Sequence, residues 1–261
     1  NFTKQTGIKV LPVYDSEAVK TVGLVNRLLA EKSHPQCDVF WNNEEFRTRQ
    51  LAAQKIFRET NAWAAFGYRS RRVAVSENFA RAPQSLLELT NEIWRGEVVL
   101  AYPFFGSTST HFLALRQHWG DDKWRTWCRA LQANKPYLVD GNSASAKFVR
   151  SHEVPVGLTD SDDIAAENRA GGKLKALPIN AETLLIPNTV AVIRNARHPE
   201  AAEKLFLFLQ SRAVTEKLIA ANAIEGASPD EIKTPTLKPD WGKLLADLEV
   251  ATKEMKEIFL R

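Results

Sequence analysis

Three acidic side chains fall within four residues at Asp160-Ser161-Asp162-Asp163. Held so close, they repel one another unless a cation sits among them or water screens them, and hard cations take oxygen ligands of this type. A solvated helix start, where the macrodipole favours acids, is the competing reading. The spacing does not fit an EF-hand loop, which needs a glycine and a distant glutamate. A second group, Gly106-Ser107-Thr108-Ser109-Thr110, offers hydroxyls and free backbone N–H groups at a helix entry, which suits an anion. Ordinary N-capping uses the same residue types. Asp140-Gly141-Asn142-Ser143 carries the same ambiguity, because these are also turn residues.

The patterns of familiar catalysts do not occur. The chain contains no G-x-S-x-G elbow, G-x-x-x-x-G-K-S/T phosphate loop, H-E-x-x-H or G-x-G-x-x-G. His34, His111, His118, His152 and His198 are scattered, and His111 and His118 stand seven apart on one helix face. No catalytic residue is therefore assigned, and an enzyme is the weaker expectation. Cys37 and Cys128 are too few and too far apart for a zinc cluster or a disulfide scaffold, and two buried free thiols are expected.

The elements that must position these groups follow from periodicity. Gly7–Tyr14 reads as a short strand, Ser16–Lys32 as an amphipathic helix capped by Ser16, and Asp38–Trp41 as a second strand. Strand, helix, strand at this spacing is a βαβ unit and predicts parallel pairing. Val73–Val75, Val98–Ala101, a strand ending at Val139, and Val156–Leu158 continue the series. A Leu-rich helix is expected from Ser85 to Trp94, and others over 107–119, 123–133, 143–150, 199–210 and from Trp241 onward. Leu184–Ile186 and Val190–Ile193 read as strands flanking Pro187-Asn188. The alternation predicts an α/β fold. In such sheets ligands bind beyond the C-terminal strand ends. The sequence places Tyr14 and Glu17, Asn42 and Glu44, the Ser107–Thr110 run, Asn142-Ser143 and the Asp160–Asp163 cluster there.

Composition bounds the remaining classes. With 261 residues, about two compact units are expected. Hydrophobic residues at 44% and charged ones at 25% are too apolar a mix for a disordered chain. No window approaches the eighteen or so uncharged apolar residues of a membrane helix. A net charge of +4 does not point to nucleic acid, since no basic block exceeds Arg69-Ser70-Arg71-Arg72. The abrupt opening at Asn1-Phe2-Thr3 reads as a processed or truncated chain.

Taken in order, these segments resemble the periplasmic solute-binding proteins of ABC importers, nearest the ferric-iron-binding branch of the two-lobed type II class. The residues that carry the resemblance are Thr6–Val10, Asn26–Lys32, Asp38–Glu44, Pro103–Thr110, Val139–Ala144, Val156–Asp163, Ile186–Ala191 and His198–Ala202. The resemblance implies two hinge-linked α/β lobes closing over one solute, residues 1–82 and 184–232 in the first and 83–183 and 233–261 in the second. It implies a monomeric periplasmic or secreted receptor that meets permease subunits at the membrane and carries a small molecule or a metal ion as cargo, with no covalent cofactor and no nucleic-acid partner. Glu44, Asp162 and Asp163, supported by Asp160, would hold a cationic centre; Ser107, Thr108, Ser109, Asn142 and Ser143 would hold an accompanying anion. Tyr14, Glu17 and Asn42 are further candidates.

Two departures qualify that picture. Ferric-binding relatives place adjacent tyrosines where this chain has Asp162-Asp163, so tyrosinate coordination does not transfer. An organic amine, or a solute bearing amine and phosphate or phosphonate, is the alternative cargo, and an enzyme on a related double-lobed scaffold is more remote. Relatives also carry a strand and helix ahead of Thr6 and a longer stretch in the 45–62 region, so segments are expected to be missing from both places.

Overall fold

A computed structural model describes residues 1–14, 20–177 and 179–260. The chain divides into two compact units, 1–68 with 186–228, and 69–185 with 229–261. The division crosses two strands, between residues 68 and 69 and between residues 185 and 186.

In the first unit, helix α1 (Phe2–Thr6) ends at Gly7, whose φ of 72° gives the left-handed cap that glycine accepts most readily. The strand expected over 7–14 does not form. Residues 8–14 have no regular structure, and Leu11, Val13 and Tyr14 are exposed, because an isolated strand with no partner leaves its backbone groups unpaired. Helix α2 is described over Lys20–Ala30; Ser16 and Glu17 lie outside the described residues. Strand β1 (Val39–Asn42) pairs antiparallel with a later strand, β7 (Leu185–Val192), in the register Val39↔Val192 to Asn42↔Thr189. The parallel βαβ pairing expected at the N-terminus is therefore absent, since its first strand is missing. Pro187 interrupts nothing: β7 runs continuously through it, and Pro187 precedes the stretch paired with β1.

Alternation along β7 sorts this unit's core. Ala191 faces Val25 and Leu28 of α2, with Phe40, Leu51 and Phe57. Val190 and Val192 face the other way, onto Phe66 and onto Ala202, Phe206 and Leu209 of α8 (Pro199–Leu209). Helix α3 (Phe46–Ala53) and helix α9 (Arg212–Ala220) complete the unit; neither was anticipated, because their apolar faces are short.

The long strand β2 (Trp63–Ser76) crosses from the first unit into the second. There it pairs antiparallel with β5 (Val156–Asp160) and β6 (Leu174–Leu177), while β3 (Val98–Ala101) runs parallel to both β5 and β4 (Tyr137–Val139). The sheet is mixed. Helices α4 (Gly106–Trp119), α5 (Asp121–Ala133), α6 (Asn142–Arg150), α7 (Ser161–Arg169) and α10 (Trp241–Phe259) belong to this unit. The Leu-rich segment before β3 forms two short 3₁₀ turns, Leu87–Thr90 and Glu92–Trp94, rather than one helix. Leu86, Leu89 and Trp94 are nonetheless buried, each contributing on the order of 1.5–3 kcal/mol of apolar burial.

Close packing brings helix and strand ends together. A Cβ on Gly157 of β5 would lie 2.8 Å from Val149 Cγ2 of α6 and 3.2 Å from Val99 Cγ1 of β3. Only glycine allows α6 to approach β5 so closely, and that approach sets the α6 N-terminus beside the end of β5. Both thiols are unpaired, with Cys128 buried and Cys37 partly so.

Candidate functional site

In the second unit, the C-terminal end of β5 meets the N-termini of α4, α6 and α7. Asp160 is the last residue of β5 and the N-cap of α7, but its carboxylate makes no capping bond. It lies opposite Arg71 in the β2–β5 register, and Oδ1 accepts from Arg71 Nη1 at 2.7 Å. Oδ2 accepts from Ser107 Oγ at 2.8 Å, Asn142 Nδ2 at 3.3 Å and Arg69 Nε at 3.4 Å. Arg69 Nε also stands 3.2 Å from Asp162 Oδ1.

Asn142 knits the cluster. Its Oδ1 accepts from Arg71 Nη1 at 2.8 Å and Thr108 Oγ1 at 3.0 Å, and its Nδ2 donates to Ser107 Oγ at 2.8 Å. Thr159 Oγ1 donates to the Asn142 carbonyl at 2.8 Å and reaches Asp163 Oδ2 at 3.3 Å. None of the three helices has a side-chain cap at this end. The hydroxyl, amide and carboxylate groups that could have capped them face one another instead. Ser107, Asn142 and Asp160 therefore do not act as helix caps.

Electrostatics follow from burial. Asp160 is 2% exposed and Arg71 1%. Burial alone would raise the Asp160 carboxyl, but the Arg71 and Arg69 guanidiniums and the Ser107 hydroxyl outweigh it and hold it below the usual carboxylate range. Asp162 moves the other way: burial and the neighbouring Asp160 charge raise it, against Arg69. The carboxylate oxygens of Asp160, Asp162 and Asp163 all lie within 4.8 Å of one another, yet the two guanidiniums already answer Asp160.

One edge of Arg71 is left over. Nη1 carries every bond of this side chain described above, while Nε and Nη2 are buried with no partner among the described residues. Those two nitrogens form the side-on fork that matches a carboxylate or phosphate bidentately. Ser109 Oγ is likewise buried without a partner, and Ser143 is exposed. The sequence reading passed over Arg69 and Arg71 as a basic block. Their signal was the i, i+2 spacing, which puts both on the same strand face as Val73 and Val75.

The remaining expected residues lie in the first unit. Glu44 is 2% exposed; Oε2 accepts from Phe46 N at 2.7 Å and Oε1 from Arg47 N at 3.1 Å. It closes the first turn of α3 as a local cap. Asn42 Nδ2 donates to the Glu44 carbonyl at 2.9 Å. Burial raises the Glu44 carboxyl, opposed by Arg47, these backbone bonds and Asn42. Tyr14 is 85% exposed.

In the second unit, strand and helix ends gather polar groups around a guanidinium edge that has no partner among the described residues. The chain belongs to the bacterial extracellular solute-binding protein family, which it matches over residues 1–221. Its fold is similar to that of iron-bound HitA from Pseudomonas aeruginosa, with 18% identity, a TM-score of 0.83, and 98% of this chain and 92% of that one covered. The periplasmic binding protein AfuA from Actinobacillus pleuropneumoniae, bound to fructose-6-phosphate, matches at 21% identity and TM-score 0.83, covering 100% of this chain and 93% of that one. The ferric binding protein from Campylobacter jejuni matches at 17% identity and TM-score 0.80, covering 98% and 93%. These likenesses establish the two-lobed fold of periplasmic binding proteins. Among the described residues, no helix is long and apolar enough to cross a membrane.

Proposed function

We propose that this protein is the periplasmic or otherwise extracytoplasmic receptor of an ABC importer, that its two units are the lobes, and that it delivers to the permease an organic solute carrying a phosphate or phosphonate group. The observation that supports this reading is the Arg71 Nε–Nη2 edge, buried and without a partner among the described residues. An unpaired buried donor costs about 1–3 kcal/mol, and more when charged, and an anion bound at this edge would remove that cost. Ser107 and Asn142 contact the same guanidinium, Thr108 bonds Asn142, and the N-termini of α4 and α6 add positive dipole ends.

A metal ion with an accompanying anion is the second reading. The 4.8 Å grouping of Asp160, Asp162 and Asp163 favours it. It is the weaker one, because Asp160 is spent on Arg71 and Arg69 and Glu44 on the α3 backbone.

Calorimetric titration of propyl phosphate, inorganic phosphate and ferric citrate into wild type and Arg71→Lys separates the two. Lysine keeps a charge opposite Asp160 but removes the fork. Propyl phosphate is expected to bind wild type and to weaken at least about tenfold in the variant. Tight ferric binding that survives Arg71→Lys, with no binding of the ester, would overturn the proposal.

A further inference from the structure

Asn142 touches both signs of charge in the cluster, and those charges fix which way its amide points. Arginine only donates, so the atom 2.8 Å from Arg71 Nη1 is Oδ1; a carboxylate only accepts, so the atom 3.3 Å from Asp160 Oδ2 is Nδ2. Thr108 Oγ1 donates a second bond to Oδ1 at 3.0 Å, and Nδ2 gives its other hydrogen to Ser107 Oγ at 2.8 Å. Both donor hydrogens and both acceptor positions of the amide are then used. Ser107 spends its one hydroxyl hydrogen on Asp160 Oδ2 at 2.8 Å, and Thr108 spends its own on Asn142. Of the residues expected to hold an anion, these three keep no side-chain hydrogen to give one.

The same bonds decide how Arg71 meets Asp160. An arginine beside a carboxylate favours two parallel bonds, side-on. Here the contact is single. Asp160 Oδ1 takes Arg71 Nη1 at 2.7 Å, while Oδ2 is occupied by Ser107, Asn142 and Arg69. The other Nη1 hydrogen goes to Asn142 Oδ1. Asn142 thus acts on both members of the pair: Nδ2 helps to occupy the second carboxylate oxygen, and Oδ1 anchors the guanidinium. An aspartate there would repel Asp160, and an alanine would do neither. Without the amide, Arg71 can pivot on its bond to Asp160 and turn a second nitrogen onto that carboxylate, consuming part of the open Nε–Nη2 edge.

We propose that Asn142, held by Thr108, is a positioning residue: it keeps the Nε–Nη2 edge of Arg71 turned toward the solute and does not itself touch the solute. This inference rests on the proposal that Arg71 receives the solute's acid group.

The test is a double-mutant cycle in the full chain, read by calorimetry with propyl phosphate. With Arg71 present, Asn142→Ala is expected to weaken binding at least about tenfold and Thr108→Val about threefold. In an Arg71→Lys background each should cost less than about twofold, since no fork is left to aim. Equal losses in both backgrounds would assign Asn142 a direct contact with the solute and overturn the positioning role, as would no loss in either. A second measurement needs no solute. The Arg71 Nε–H signal in nitrogen-15 spectra, assigned by its absence from Arg71→Lys, should move in Asn142→Ala as the guanidinium turns; a signal that stays in place overturns the inference. Should the alanine variant fail to fold, Thr108→Val carries both measurements. Each of these failures leaves the acid-group reading standing, whereas a wild type that binds no propyl phosphate overturns that reading and this inference with it.

Discussion

Arg71 and Asp160 are directly opposed across antiparallel β2 and β5, and Arg71 Nη1 meets Asp160 Oδ1 at 2.7 Å where both side chains are almost fully buried. Such a pair adds little net stability, because desolvating two charges offsets most of their attraction. Its consequence is geometric. With Nη1 and the Asp160 oxygens committed, the plane of the guanidinium is fixed, and the Nε–Nη2 edge is presented without freedom to rotate away. Asp160 is thus the counter-ion of a cation already in the chain.

Removing one partner of that pair should be costly. Asp160→Asn leaves Arg71 buried without its counter-charge and is expected to lower unfolding stability by about 3–5 kcal/mol. Asp122→Asn, which alters a fully exposed carboxylate paired with Arg125, should stay within about 0.5 kcal/mol. Urea denaturation of both variants measures the contrast, and equal midpoints would refute the role given to Asp160.

His111 predicts a particular pH dependence. Its imidazole titrates at about 3 when folded but near the ordinary 6.5 when unfolded, so only the unfolded chain takes up this proton as pH falls between those values. Its contribution is complete above about 6.5 and is lost on acidification at about 1.4 kcal/mol per pH unit. Asp160, depressed in the folded state, adds a further loss below about pH 4. Glu44, raised by burial, acts oppositely, and its cost is relieved as pH falls through its folded value. Comparing wild type with His111→Gln between pH 7 and 4.5 isolates the histidine: the difference between their urea midpoints should change steadily with pH, and a constant difference would count against it.

Gly67 in β2 has a φ of 72°, and a Cβ there would stand 2.3 Å from Ile224 Cδ1. Gly67→Ala combines backbone strain with overpacking and should destabilise by about 2–4 kcal/mol. Gly171, also at positive φ but with open space around it, separates the two effects: Gly171→Ala should cost only about 1 kcal/mol. Thermal unfolding of the pair checks the ordering.

The thiols should be unreactive in the native protein. Burial is the first cause raising Cys37, to about 11, and it lifts Cys128 well above the usual thiol range. At pH 8 the Cys37 thiolate fraction is on the order of 10⁻³, so labelling should run about a hundredfold slower than for a peptide thiol. Denaturant should release two equivalents per chain, and rapid native labelling would contradict the burial of these groups.

Much of the fold was legible because periodicity survives any tertiary arrangement. β3, α4, α5, α6 and β5 appear within a few residues of their expected ends, each having a long apolar pattern or a clear start signal. The misses are places where local pattern was outvoted by pairing. Gly7–Tyr14 reads as a strand but has no neighbour, and Leu184–Ile193 reads as two strands but is carried across Pro187 by its partners. Ser107, Thr108, Asn142 and Asp160 were singled out from residue type and strand-end position, and they do assemble in one cluster.

The sequence by itself determined the α/β class and the set of polar residues at the strand ends, because those depend on residue type and short-range spacing; the family entered through a resemblance of ordered segments. Only the tertiary structure decided which charges meet around Asp160. Asp160 lies 89 residues from Arg71 along the chain, and no local rule pairs them. Once β2 and β5 are in register, two guanidiniums enter the acidic cluster and Asp160 becomes their counter-ion.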